Sequence, residues 1–242
     1  MLSEGRYRLG SRRSPAAGLS GAWALLPIGA TEAHGPHLPL DTDVCIAEAL
    51  ADRVAARLDA EGSAGVVLPP LNYGITEFAR GFPGTLSVDA SLVQGLVVGL
   101  GRAVRRQGAA GLILVNAHFE PAELGALFGA AAQLEADGLR VVYPNFASRR
   151  GSHAFADLCP LDGHAGRYET SLVLAAAPER VVGHQRLSRV EADLAAGIAR
   201  GASSFEEAGG EQGYFGDPAG ASAALGVALY ERLTALVVGG IS

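Results

Sequence analysis

Apolar positions fall into short unbroken runs, separated by longer stretches in which they recur at helical spacing. Residues 22–28 form one such run, ended by Gly29, as a strand buried on both faces would. Over residues 43–60, Ile46, Leu50, Val54 and Leu58 recur at every fourth position and predict a helix with one apolar stripe. Residues 65–68 predict a second strand stopped by Pro69-Pro70, and a glycine-rich loop over 71–85 leads to a helix over 89–107. A third strand is expected at 112–115, a helix with proline in its first turn at 121–136, and a fourth strand at 139–143. Beyond an irregular stretch, residues 167–177 predict another helix, and Asp217-Pro218 is expected to cap a last helix ending near Leu236.

Strands alternating with helices predict a single α/β domain over residues 1–242. Its expected form is a three-layer α/β/α sandwich with a mostly parallel central sheet, residues 1–20 being a candidate flexible arm. The last helix carries Leu225, Leu229, Leu233, Leu236, Val237 and Val238 with few charges. That is more apolar surface than a solvent-facing terminal helix needs, so a homo-oligomer is expected.

Composition removes several function classes. With 49% hydrophobic and 18% charged residues, the chain has enough apolar material to fold around a core. All 19 basic residues are arginine, which excludes Schiff-base chemistry on lysine and the lysine of a phosphate-binding P-loop. A net charge of −6 argues against a nucleic-acid partner. No apolar run reaches the ~18–20 residues of a membrane span. The first 15 residues carry four arginines and no apolar stretch, unlike a secretory signal. Cys45 and Cys159 stand alone, so a cytoplasmic protein without a disulfide framework is expected.

In open parallel sheets, ligands bind at the carboxyl ends of strands. Directly after the first strand the chain places Glu32-x-His34, then Asp43; directly after the third it places His118-x-Glu120. Residues two apart in extended backbone point to the same side, so each pair offers an imidazole and a carboxylate to one point. Asp43 adds a carboxylate able to bridge. Five His, Asp and Glu ligands without a thiolate suit Zn²⁺ or Mn²⁺. They are too many for one open catalytic ion and fit two divalent ions sharing Asp43 and a hydroxide. Taken singly, Asp43 reads equally well as a helix cap, and His34 or His118 as a hydrogen-bonded core histidine; their joint occurrence after two strands points to metal. Asp41 stays open between a cap, a group behind the ligands and a ligand, and His37 between a ligand and a loop-fixing hydrogen bonder. His153 and His184 lack acidic neighbours and are expected at the surface.

The run L-P-I-G-A-T-E-A-H-G-P-H-L-P-L-D-T-D, from Leu26 to Asp43, resembles the signature of the creatininase family of metal-dependent amidohydrolases. Further matches follow in order: Gly74 with Phe82-Pro83-Gly84-Thr85, Asn116-Ala117-His118, His164-Ala165-Gly166-x-x-Glu169-Thr170-Ser171, and Gly216-Asp217-Pro218. The resemblance implies an α/β/α sandwich, commonly hexameric. It assigns Glu32, Asp43 and His118 to one ion, and His34, Asp43 and Glu120 to the other. His164 and Glu169 become the candidates for protonating the amine leaving group, with Glu169 a ligand in some relatives. Hydrolysis of a small or cyclic amide, non-peptide by preference, is the implied reaction. The family's creatinine-hydrolysing members meet substrate with tryptophan where this chain has Pro160, which argues against creatinine. The His164–Ser171 run is similar to that of mycofactocin-maturing peptidases, but Asn116-Ala117-His118-Phe119-Glu120-Pro121 replaces their N-G-H-G-G-N, which argues against a close match. Peptide processing, and a silent scaffold subunit, remain the alternatives.

Overall fold

The computed structural model describes residues 6–14 and 17–241. Four parallel strands, β1 (Trp23–Ile28), β2 (Gly65–Val67), β3 (Gly111–Asn116) and β4 (Val141–Val142), form one sheet in the order β2-β1-β3-β4. The crossovers are α1 (Thr42–Ala60), α2 (Ala90–Arg106) and α3 (Pro121–Ala136). After β4 come α4 (Arg149–His153), α5 (Arg167–Ala176), α6 (Leu194–Ala199) and α7 (Ala223–Gly239).

The pleat sorts the core into two layers. Leu25, Ile113 and Val115 point to one face, where α1, α5 and α7 pack on them. Ala24, Leu26, Leu112 and Leu114 point to the other, under α2 and α3. Successive strand residues face opposite sides, so strands buried on both faces must be apolar throughout, as β1 and β3 are. The three-layer sandwich expected from the sequence is therefore the fold. A third, smaller cluster of Ala79, Phe205, Ala208 and Phe215, with Phe78 and Phe82 against it, joins the loops after β2 and α6.

Three expectations are corrected. Asp217 caps only a short 3₁₀ turn, accepting from Gly220, and α7 starts later under Ser222, whose hydroxyl accepts from the Leu225 amide. The apolar residues of α7 are spent inside the chain: Leu229, Leu233 and Val237 are buried in the α1/α5/α7 core, and so give no argument for an oligomer. Gly226 brings α7 against α5 so closely that a Cβ there would lie 1.9 Å from the Ser171 carbonyl oxygen. Finally, the described part of the candidate arm is not free. The Tyr7 carbonyl accepts from the Val67 amide, and Arg8 pairs with Glu48 and Asp52 of α1. Residues 1–5 lie outside the described chain.

The order β2-β1-β3 means that the chain leaves β1 towards one side and β3 towards the other. Their carboxyl ends lie side by side, with Ile28 in register with Asn116. This is the crevice where parallel sheets place ligands.

Candidate metal centre

Gly29 ends β1 directly against the first turn of α1. A Cβ there would fall 2.5 Å from the Val44 nitrogen and 2.8 Å from the Asp43 Cβ, so only glycine lets the strand end touch Asp43. Asp43 is not spent on capping. Asp41, at the cap position, makes no capping bond either; its half-exposed side chain pairs with Arg180. Beyond β3, Asn116 fixes the His118 backbone by accepting from its amide at 3.0 Å. The His164–Glu169 segment arrives from the loop before α5. Ala165 there takes φ +53, a left-handed conformation that costs a non-glycine residue about 1–3 kcal/mol. Its amide donates to Glu169 Oε2.

The side chains converge below the cleft floor. His34 Nε2 lies 3.1 Å from Asp43 Oδ1 and 3.9 Å from both Glu32 Oε1 and Glu169 Oε2. His118 Nδ1 lies 3.1 Å from Glu32 Oε1 and 3.2 Å from Asp43 Oδ2. His164 Nδ1 is 3.8 Å from Glu32 Oε1. Three overlapping trios thus have the spacing to hold a cation: Glu32–Asp43–His118, His34–Asp43–Glu169 and Glu32–His34–His164. All six residues are buried, His34 completely and His164, the least covered, at 7% exposed.

The second nitrogen of each imidazole decides what the first can do. His34 Nδ1 donates to the Glu32 backbone carbonyl (3.2 Å), His118 Nε2 to that of Ile75 (2.7 Å), and His164 Nε2 to that of Ala33 (2.8 Å). A carbonyl oxygen only accepts, so it fixes a proton on that nitrogen. The other nitrogen then turns towards carboxylates, a repulsive arrangement unless a positive charge stands between. Protons fill that role without metal. Burial works against a charged His34, but Asp43, Glu169 and Glu32 push its pKa up to about 10. His118 is likewise raised well above the ordinary value against its burial, by Glu32 and Asp43. Burial would raise Asp43, yet the two histidines hold it well below the usual carboxylate range. Asp43 Oδ2 is buried and faces only His118 Nδ1, 3.2 Å away. A set of three buried carboxylates facing imidazoles whose carbonyl-fixed rings present their second nitrogens fits divalent cations of the zinc or manganese type.

Glu120 stands apart from these trios. Its carboxylate accepts from the Glu77 and Phe78 amides at 3.1 and 3.3 Å on the cleft wall, and burial pushes its pKa up to about 7. Glu169 instead joins His34 and Asp43, with burial pushing its pKa up to about 8. Burial and the nearby His34 charge lower His164 to about 4. His37 pins its loop to α5 by a 2.9 Å bond with Thr170, and His153 is exposed. His184 is buried rather than at the surface, a correction. Over the centre opens a cleft whose walls include Phe78, Phe119, Leu194, Ile198 and Phe205. Residues that sequence reasoning missed reach the centre from segments without a motif: Thr76, whose hydroxyl donates to Glu32 Oε2, and Phe205, whose ring lies 4.4 Å from that of His164.

Residues 15–240 match the creatininase family, described as creatinine amidohydrolase. The chain is 36% identical over 217 residues to a mycofactocin precursor peptide peptidase of Mycolicibacterium smegmatis, covering 89% of this chain and 81% of that protein. This is nearer than the loop after β3 alone predicts. To the creatinine amidohydrolase of Pseudomonas putida it is 32% identical over 183 residues, covering 66% of this chain and 68% of that one. Its fold is similar to a solved creatininase in its Mn form, with a TM-score of 0.68 at 26% identity, over 97% of this chain and 95% of the other.

Proposed function

The chain belongs to the creatininase family, and from that membership we propose that it hydrolyses an amide C–N bond with two divalent ions, Zn²⁺ or Mn²⁺, held in the buried cluster. The observation that carries this reading is the set of carbonyl-fixed imidazoles whose other nitrogens face shared carboxylates. Glu32, Asp43 and His118 would hold one ion and His34, Asp43 and Glu169 the other, Asp43 serving both. When bound, the ions supply Lewis acidity to the amide carbonyl and an acidified water as nucleophile.

The remaining roles belong to the chain. His164, its Nε2–H held by Ala33, is neutral at pH 7 and keeps the Nδ1 lone pair open towards Glu32. It would take at Nδ1 the proton that the attacking water gives up, and return it to the amine nitrogen as the C–N bond breaks. Glu120 holds the 77–78 backbone that forms one cleft wall, in place of the ligand role expected from the resemblance.

A peptide-type amide flanked by an apolar side chain suits the aromatic and aliphatic walls, and the 36%-identical relative is a peptide peptidase. The expected preference for a non-peptide amide finds no support there. A small cyclic amide is the second reading, favoured by the similarity to creatinine amidohydrolase. The protein acts as a homo-oligomer through the face of α2 on which Leu92 and Leu96, four residues apart, are 62% and 52% exposed. The test is elemental analysis followed by assay of the metal-loaded protein on short peptides and cyclic amides. Metal-dependent cleavage of peptides with apolar residues is expected; a protein that takes up no ion overturns the reading.

A further inference from the structure

Glu123 lies in the first turn of α3 and is fully buried, although no part of the proposed reaction uses it. One oxygen, Oε2, accepts from the Ile75 amide at 2.9 Å; the other, Oε1, has no hydrogen-bond partner. A buried, half-satisfied carboxylate is costly, and its helix neighbours Ala126 and Leu127 belong to an apolar layer. Its single bond falls on the peptide segment that serves the metal centre. The carbonyl of Ile75 accepts the Nε2–H of His118. The hydroxyl of the next residue, Thr76, donates to Glu32, while the Thr76 amide is held by Ser87 Oγ at 3.1 Å. Gly74 completes the fit, since a Cβ there would stand 3.1 Å from Glu123 Oε2.

We propose that Glu123 is a positioning residue: by holding the Ile75 amide it fixes the 75–76 segment, which sets the tautomer of His118 and the orientation of Glu32. It acts on the Glu32–Asp43–His118 trio and leaves the His34–Asp43–Glu169 trio largely untouched. The inference rests on the reading of these trios as two ion sites. In the family of groups behind metal ligands, loss of such a partner costs about 10–100-fold in metal affinity.

The test measures Zn²⁺ affinity and stoichiometry by chelator competition on full-length wild type, Glu123→Met and Glu123→Gln. Methionine fills the volume but offers no strong acceptor; glutamine keeps a carbonyl oxygen for Ile75. Glu123→Met is expected to weaken one of two ions by about 10–100-fold and leave the other, with Glu123→Gln restoring most of the loss. Equal affinity in Glu123→Met and wild type overturns the proposal, as does equal weakening of both ions. If Glu123→Met does not fold, Thr76→Val is read instead: selective weakening of one ion supports the strut and unchanged affinities overturn it. Wild type that binds no Zn²⁺ would fail the metal reading itself, an outcome separate from failure of the Glu123 role.

Discussion

His34 and Asp43 meet across 3.1 Å between Nε2 and Oδ1, while the far nitrogen of the same ring is tied to the backbone of Glu32, two residues back. The ring is thus fixed from behind by its own loop and aimed at the first turn of α1. Asp43 does the same work for two imidazoles, one on each oxygen.

Asp43→Ala is therefore expected to lose both ions, whereas His118→Ala should weaken chiefly one. Elemental analysis of the folded variants after dialysis against Zn²⁺ checks this. An Asp43→Ala protein retaining two ions per chain would remove Asp43 from its bridging place.

The metal-free protein should lose stability as pH rises. The folded pKa of His34, about 10, lies above its ordinary 6.5, so its contribution is present below 6.5 and is lost as pH climbs through 10. Glu169 acts in the same direction: folded it keeps a proton up to about 8 that an ordinary carboxyl releases near 4.5. Asp43, held low, works oppositely and only in acid, below its ordinary 3.8. Metal replaces the protons. Melting temperatures with chelator should fall between pH 7 and 10, and with Zn²⁺ that fall should largely vanish; parallel curves would refute it.

His164→Ala should keep its metal and fold but lose about 10²–10⁴ in turnover, the usual size of a general acid–base contribution. Substrates with good leaving groups should suffer less. Turnover at the wild-type rate on an ordinary amide would end the proton-carrying role, and loss of an ion would make His164 a ligand of the third trio.

Light scattering at micromolar concentration should find an assembly larger than the monomer, and Leu96→Arg should dissociate it, placing a charge on a residue 52% exposed in the isolated chain. A monomeric wild type would count against the α2 face.

Much of this was legible in the sequence, for identifiable reasons. The apolar runs of β1 and β3 leave no alternative to burial on both faces, and the every-fourth stripe of α1 marks its helix. The loops carrying Glu32, His34, Asp43 and His118 follow strands directly, so chain order brings them together. The choice between Glu120 and Glu169 is not written locally, because it depends on how α5 docks and on where the 77–78 amides lie. The short helices α4 and α6, too brief for any period to show, went unseen, as did Thr76 and Phe205, which reach the centre only through tertiary packing.

The scatter of the six cluster residues along the chain also sets an order of maturation. As the chain is made from its N-terminus, Glu32, Asp43 and His118 are all present once β3 has been synthesised and has paired with β1. The second trio waits for Glu169, which arrives only after β4, when α5 has packed on α1. One trio can be assembled on a growing chain before the last member of the other has been made.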